Sequence, residues 1–363
     1  MNSTNKDYKL FMRLVLIGLL LTIVVIGLGA YARLTDAGLG CPDWPTCYGL
    51  IDVPQTASQI AVAEQVFPER PVEPVKAWNE MIHRYFAGAL GVLIAVIALI
   101  SINARVSRKQ TVTMPLLLPL IILAVVTFQA ALGMWTVTLK LMPIVVMGHL
   151  LGGFTTLCLL FLLYLRLKVI HKVKRSPQVL SHQSTSQKVS KGATNKYISF
   201  GLIGIVILTA QIALGGWTSS NYAAMSCVEF PICQGDWRAN LTFDKSFDII
   251  PPKKDSYEFG YLAHDERMTI HVTHRLGAII TALFIAWLAV VIFIRSHRSD
   301  IKKSALLMFT LLLIQLGLGI SNIWFSLPLS VAVAHNVVAA LLMLSLIALT
   351  YKLKQNAQEL TYE

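Results

Sequence analysis

Eight stretches of this chain stay apolar for about as long as a bilayer is thick, and that leaves few folds open. A helix needs about 20 apolar residues to cross the hydrocarbon core. The runs fall at roughly 13–32, 83–102, 115–138, 143–165, 197–219, 270–294, 305–325 and 328–351. In lipid every backbone N–H and C=O must be bonded within the protein, so segments of this length span as helices. With 55% hydrophobic residues and a mean hydropathy of +0.63, the expected class is an all-α integral membrane protein with eight transmembrane helices.

The chain also repeats itself. Cys41-Pro42-Asp43-Trp44-Pro45-Thr46-Cys47 returns as Cys227-Val228-Glu229-Phe230-Pro231-Ile232-Cys233, an offset of 186 residues. The same offset links Gly29 to Gly215, Gln129 to Gln315, Gly133 to Gly319 and His149 to His335, and it drifts to 191 between His83-Arg84 and His274-Arg275. A half-protein has been duplicated and fused. The expected organisation is an N-terminal four-helix half (1–170), a basic connection (171–196) and a C-terminal four-helix half (197–363), packed as two pseudo-symmetric four-helix bundles. Four helices per half bring both copies into the membrane from the same side, so the axis relating them should lie along the membrane normal.

Charge sets the orientation. With the N-terminus in the cytoplasm, 20 of the 31 Lys and Arg but only four of the 19 acids lie on the cytoplasmic side. The connection from Arg166 to Lys196 carries eight of these basic residues and no acid. This satisfies the positive-inside rule at every loop and places both termini in the cytoplasm. The net charge of +12 is therefore a topology signal, and no nucleic-acid partner is expected. Ala30-Tyr31-Ala32 has the look of a signal-peptidase site, but the apolar stretch before it is long for a signal peptide, so the first helix is expected to be retained. About a dozen polar residues precede that helix, too few for a mitochondrial transit peptide, so a bacterial inner membrane is the expected location.

The two long outer loops, roughly 33–79 and 220–268, each hold one cysteine pair in a compartment that permits disulfides. Cys41 with Cys47, and Cys227 with Cys233, are spaced to meet across a tight loop. The spacing favours a structural bridge over a redox-active pair, since it is not the Cys-x-x-Cys of dithiol oxidants. Cys158, alone in an apolar helix, reads as packing.

Histidines carry the chemistry. His171, His182 and His297 fall in cytoplasmic segments and read as solvated, while His264 sits in an outer loop with no counterpart in the first half. His83 and His274 lie a few residues into the second and sixth spans. His149 is six residues past Pro143 and His335 seven past Pro328, about 9–10 Å at ~1.5 Å per residue. Ionisable groups inside a membrane are costly and usually functional. One such histidine is readily a satisfied core residue; two per half, matched between halves, strain that account. Two imidazoles facing across a helical bundle suit a haem iron held from both faces. Zinc would need four ligands, which the loop cysteines could complete, but a flat macrocycle fits helix-borne imidazoles better. Arg84 and Arg275 follow their histidines and are candidates to pair with haem propionates or to snorkel to the headgroups. The halves differ at one position: Glu80 stands three residues before His83 where His271 stands before His274, each pair on one helix face. Glu80 is either an acid that complements a helix N-terminus or a group for chemistry at one pocket. His271 has no assigned role.

These motifs together resemble the haem A synthases, the cytochrome oxidase assembly family of bacteria and mitochondria. The resemblance covers nearly the whole chain and rests on the segment from Gly29 to Thr35, the Cys41–Cys47 loop, Glu80 with His83-Arg84, Gly148-His149, Gln211 through Gly216, the Cys227–Cys233 loop, His274-Arg275 and His335. It implies an oxidoreductase that converts the methyl group of haem O to the formyl group of haem A through hydroxylated intermediates. It also implies His83 and His149 as the substrate-haem ligands, Glu80 as the catalytic carboxylate, and His274 and His335 as iron ligands of a haem b cofactor. The further partners it suggests are an unidentified electron donor and the haem O synthase that makes the substrate.

Other functions stay open at this level. Bis-histidine pairs alone would equally serve a di-haem b-type electron-transfer cytochrome. The outer cysteines would serve a quinone-linked thiol oxidase. A transporter is disfavoured because the spans carry no mid-membrane charge and no Pro-broken helix at matching positions of the halves.

Overall fold

In lipid a helix is the only open segment that bonds all of its own backbone, and among the described residues every candidate span is a helix. The computed structural model describes residues 3–106, 114–175, 191–229, 233 and 236–359. Ten helices occur among them: α1 (Ser3–Leu34), α2 (Ala57–Val66), α3 (Pro74–Val106), α4 (Leu117–Thr138), α5 (Pro143–Arg175), α6 (Lys191–Ser220), α7 (Phe243–Ser246), α8 (His264–Arg295), α9 (Ser299–Trp324) and α10 (Leu329–Glu359). The described residues contain no strand. All but the short α2 and α7 are long and apolar enough to cross a membrane. Their outward faces are strongly apolar, with Leu283 and Val206 each 68% exposed, a surface that suits lipid and would be a liability in water.

Local signals set the helix ends. α3 and α5 open on Pro74 and Pro143, where a missing N–H costs nothing. α2 is capped by Thr56 with Gln59 reaching back to the cap backbone, and Glu266 accepts from Ala263 N–H at 2.7 Å at the start of α8. The duplication is written in the backbone as well. Lys140 and Leu141, which end α4, take positive φ of 49° and 63°; Ser326 and Leu327, 186 residues on, take 54° and 62°. Both turns close with the same bond six residues long, Leu141 N–H to Thr136 O at 2.8 Å and Leu327 N–H to Asn322 O at 2.7 Å, a Schellman-type helix end. The ends of α1 and α6 match in the same way, through Ala37 N–H to Ala32 O and Ala223 N–H to Thr218 O, both 2.9 Å.

In the first four long helices, α1 packs on α3, α3 on α4, α4 on α5 and α5 back on α1. In the second four, α6 packs on α8, α8 on α9, α9 on α10 and α10 back on α6. The halves meet through α1 with α10 and α5 with α6, around a buried cluster that includes Phe11, Leu157, Leu160, Leu346 and Leu349. Gly216 permits the close approach of α6 to α5, since a Cβ there would lie 2.8 Å from Leu150 Cδ2. On the loop side, Arg33 donates to Ser219 O at 2.5 Å and lies 3.9 Å over the Tyr222 ring, and Arg70 pairs with Glu258 at 2.6 Å.

Three expectations differ from the structure. α3 and α8 begin well before the apolar runs at 83 and 270, so His83 lies nine residues into its helix and His274 ten, roughly 13–15 Å along the axis rather than a few residues in. The added turns are too polar to register as a span, but loops cover them. Ala77, Glu80 and Met81 are buried with Cys41, Cys47, Tyr48 and Val53, and Met268 and Val272 are buried with Cys227 and Cys233. Likewise α5 runs on to Arg175 and α6 starts at Lys191, which narrows the non-helical part of the expected 171–196 connection; residues 176–190, with His182, lie outside the described residues. His171, expected in solvent, stacks on Tyr8 with ring centroids 5.9 Å apart. His264 is exposed at the first position of α8, His297 is exposed just after its end, and Cys158 packs against the core.

Candidate functional site

Each of the four paired histidines lies against a glycine of the neighbouring helix. His83 on α3 meets Gly29 of α1, His149 on α5 meets Gly133 of α4, His274 on α8 meets Gly215 of α6, and His335 on α10 meets Gly319 of α9. A Cβ at any of these glycines would approach the ring to 3.0–3.2 Å, so only a missing side chain lets the imidazole sit that close to its neighbour helix. These four histidines are nevertheless half-buried residues, not fully enclosed ones. A histidine serving only as core would be packed shut, as His271 is: 5% exposed, with Nδ1 2.9 Å from Ala223 O. His271 thus ties α8 to the segment leaving α6.

The first pair is spaced for one iron. The His83 and His149 ring centroids are 6.3 Å apart, with their planes 71° from each other. Two imidazoles that bond a metal at about 2 Å each from opposite sides place their ring centres about 6 Å apart. His149 Nδ1 is buried without a hydrogen-bond partner, as suits a ring whose polar atoms are meant for a ligand. The zinc alternative loses its donors. Cys41 is bridged to Cys47 and Cys227 to Cys233, and no group of three or more metal-binding side chains occurs among the described residues.

Around each pair, the cysteine loops are pinned by the arginines. Arg84 donates to the carbonyls of Asp43 (2.9 Å) and Thr46 (2.6 Å), and Arg275 to those of Cys227 (2.5 Å) and Glu229 (2.8 Å). These guanidinium groups, expected at propionates or headgroups, hold the loops over the helix ends. Glu80 joins the same arrangement. Its Oε2 accepts from Cys41 N–H at 2.9 Å and its Oε1 pairs with Arg84, so both oxygens are occupied in a 7% exposed position. Outside the membrane, Tyr48 closes the cap by donating to Pro71 O at 3.1 Å, and burial pushes its phenol up to about 12, so that bond persists through ordinary alkaline pH.

A family profile described as cytochrome oxidase assembly protein matches residues 12–347. The chain belongs to that family. Among similar proteins, one named "Heme A synthase" from Shewanella oneidensis is 46% identical over 92% of this chain and 94% of its own. Proteins of the same name from a Chelativorans species and from Halalkalibacterium halodurans are 26% and 23% identical, covering 92% and 97% of this chain and 89% and 99% of theirs.

Three residues of this family member that sequence reasoning gave no role stand beside the histidines. Gln129 donates to His149 O at 2.5 Å, Gln211 lies 3.0 Å from His274 Nδ1, and Gln315 lies 3.2–3.3 Å from both ring nitrogens of His335. The available signal was their polarity inside apolar spans, with Gln129 and Gln315 repeated at the 186 offset. The glycine seats give a direct test. Gly133→Val should force His149 off its helix neighbour and cost about 1–3 kcal/mol of stability, the usual penalty of overpacking. Thermal stability of the purified variant is the readout, with Gly91→Val as control because that position faces open space.

Proposed function

We propose that this chain is a haem A synthase of the bacterial inner membrane, oxidising the methyl group of haem O to the formyl group of haem A through hydroxylated intermediates. The observation that carries the reading is the His83–His149 pair, 6.3 Å between ring centres, in a chain 46% identical to a protein named for that activity. In this reading the N-terminal half holds the substrate haem O between His83 and His149. The C-terminal half holds a haem b cofactor between His274 and His335, and both termini are cytoplasmic.

Haem b, when bound, would supply reversible one-electron redox chemistry at its iron. The protein contributes position and charge. The glycine seats set the imidazoles, and Arg84 and Arg275 keep the loops closed over the outer ends of the helices. Glu80 shares a helix face with His83. Held between Cys41 N–H and Arg84, it is a fixed negative charge placed to stabilise positive charge that develops at the methyl carbon. The change from methyl to formyl removes four electrons overall and adds one oxygen atom from water or dioxygen, so it needs a redox partner outside the chain, and the insoluble substrate is handed over by the haem O synthase. Cross-linked membranes should yield the two enzymes together; recovery of each alone would count against the hand-over.

Membranes of a strain that makes haem O but lacks this activity should gain haem A when the chain is expressed. An electron-transfer cytochrome would leave haem O unchanged. The thiol-oxidase alternative is opposed by burial, since Cys41 and Cys47 are both 0% exposed. Replacing both with serine should cost about 2 kcal/mol of stability, the worth of closing so short a loop, while conversion of haem O persists at low temperature. Loss of conversion with an intact fold would return the cysteines to the chemistry.

A further inference from the structure

The two histidine pairs are held differently, and four positions of the repeat account for it. Gln211 on α6 places its amide 3.0 Å from His274 Nδ1 and 3.0 Å from His274 O. It reaches there because Gly277 leaves room, since a Cβ at 277 would collide with Gln211 Oε1. At the matching positions of the first half, 186 and 191 residues earlier, stand Val25 and Phe86. No side chain among the described residues hydrogen-bonds the His83 ring. The other two ligand positions diverge in the same direction. Gln129 and Gln315 occupy equivalent sites, but Gln129 settles against Gly152 and bonds the backbone of His149, leaving that ring's Nδ1 unpartnered. Position 338, the counterpart of 152, is valine, and there Gln315 contacts the His335 ring itself. Glutamine amides thus meet both rings of the second half and neither ring of the first.

We propose that Gln211 is a positioning residue that fixes the His274 imidazole for permanent haem ligation, and that Val25 and Phe86 leave His83 unclamped so that the first pair can take up and release its haem. The inference rests on the reading of these histidines as haem ligands. A ligating imidazole offers iron one nitrogen and gives its other N–H to an acceptor, which sets ring orientation and raises ligand basicity. For Nδ1–H to be satisfied, the Gln211 amide turns Oε1 onto it; this gives buried Oε1 a partner and gives up the donation from Nε2 to His274 O, so the amide moves off that carbonyl when the ring ligates. A cofactor site gains from such a clamp; a site that must discharge a product each turnover does not.

The test uses the full-length protein and reads each pair alone, the second in a His83→Ala background and the first in a His274→Ala background. Gln211→Leu should speed loss of haem from the second pair to a haem-scavenging protein by about 10- to 100-fold and alter its low-spin electron paramagnetic resonance signature. Gln211→Glu, which keeps an acceptor on Nδ1–H, should restore retention and move the midpoint potential negative. The reciprocal Val25→Gln/Phe86→Gly variant should slow haem release from the first pair, and it tests the idea even where Gln211→Leu fails to fold. Unchanged release and spectra in Gln211→Leu, or unchanged release in the reciprocal variant, would overturn the inference. A wild-type protein that holds no haem at all would instead defeat the functional reading on which it rests.

Discussion

Glu80→Ala should stop the conversion of haem O while leaving haem in the protein. A positioned acid, base or charge contributes about 10²- to 10⁴-fold to a step of this kind, so the variant should accumulate haem O and yield haem A at no more than about one-hundredth of the wild-type rate. The bonds of Glu80 complicate a simple deletion. Removing the carboxylate strips Arg84 of its ion-pair partner and Cys41 N–H of its acceptor, and a buried charge left without its partner typically costs about 3–5 kcal/mol. Arg84 keeps the carbonyls of Asp43 and Thr46, which softens that loss. Glu80→Gln separates the contributions in part, because its amide oxygen keeps an acceptor for Cys41 N–H while the charge and the acceptor for Arg84 are lost. Haem O accumulation in Glu80→Gln, with thermal stability near wild type, places the charge in the chemistry. Full activity in Glu80→Gln would reduce Glu80 to a tie between α3 and the disulfide loop, comparable to His271 at the matching position of α8, which ties that helix to the segment leaving α6.

His274→Ala and His83→Ala should fail in different ways. Loss of His274 should empty the cofactor site, so that haem O still binds at the first pair but is not oxidised. Loss of His83 should leave the second pair filled and remove the substrate haem. Both variants should be inactive, and extracted haem distinguishes them: substrate-type haem alone from the first, haem b alone from the second. The two pairs stand on different helices, α3 and α5 in one half and α8 and α10 in the other, so each variant should leave the other pair in place.

The helices were legible in the sequence because lipid permits little else, and the duplication was legible in the cysteines, glycines and histidines that recur 186 residues on; the matching turn backbone shows only in the structure. The early starts of α3 and α8 were not. Pro74–Ile82 reads as loop by hydropathy, and only the covering segment around Cys41 and Tyr48 turns its polar residues inward. The histidine pairs could be found by depth and repetition alone, since an imidazole within an apolar span needs a partner wherever it sits. Arg84 and Arg275 have a role that the sequence did not show. A long side chain at a helix end can turn to headgroup, ligand or loop, and here both bond carbonyls exposed by the tight cysteine loops. The glycine seats were visible as repeated residues without a purpose, for a glycine shows what it admits only once the neighbouring helix is in place. Gln211 was hidden for the same reason: its meaning depends on Gly277, 66 positions away and on another helix.

The most direct test of the central claim is the identity of the haems extracted from purified wild type and from His83→Ala, both made in cells that supply haem O. The expected result is haem b together with haem O, a hydroxylated intermediate or haem A from wild type, and haem b alone from His83→Ala. Haem b as the sole species from wild type, in an amount that fills both pairs and falls by half in His83→Ala, would contradict it and make the chain an electron-transfer cytochrome.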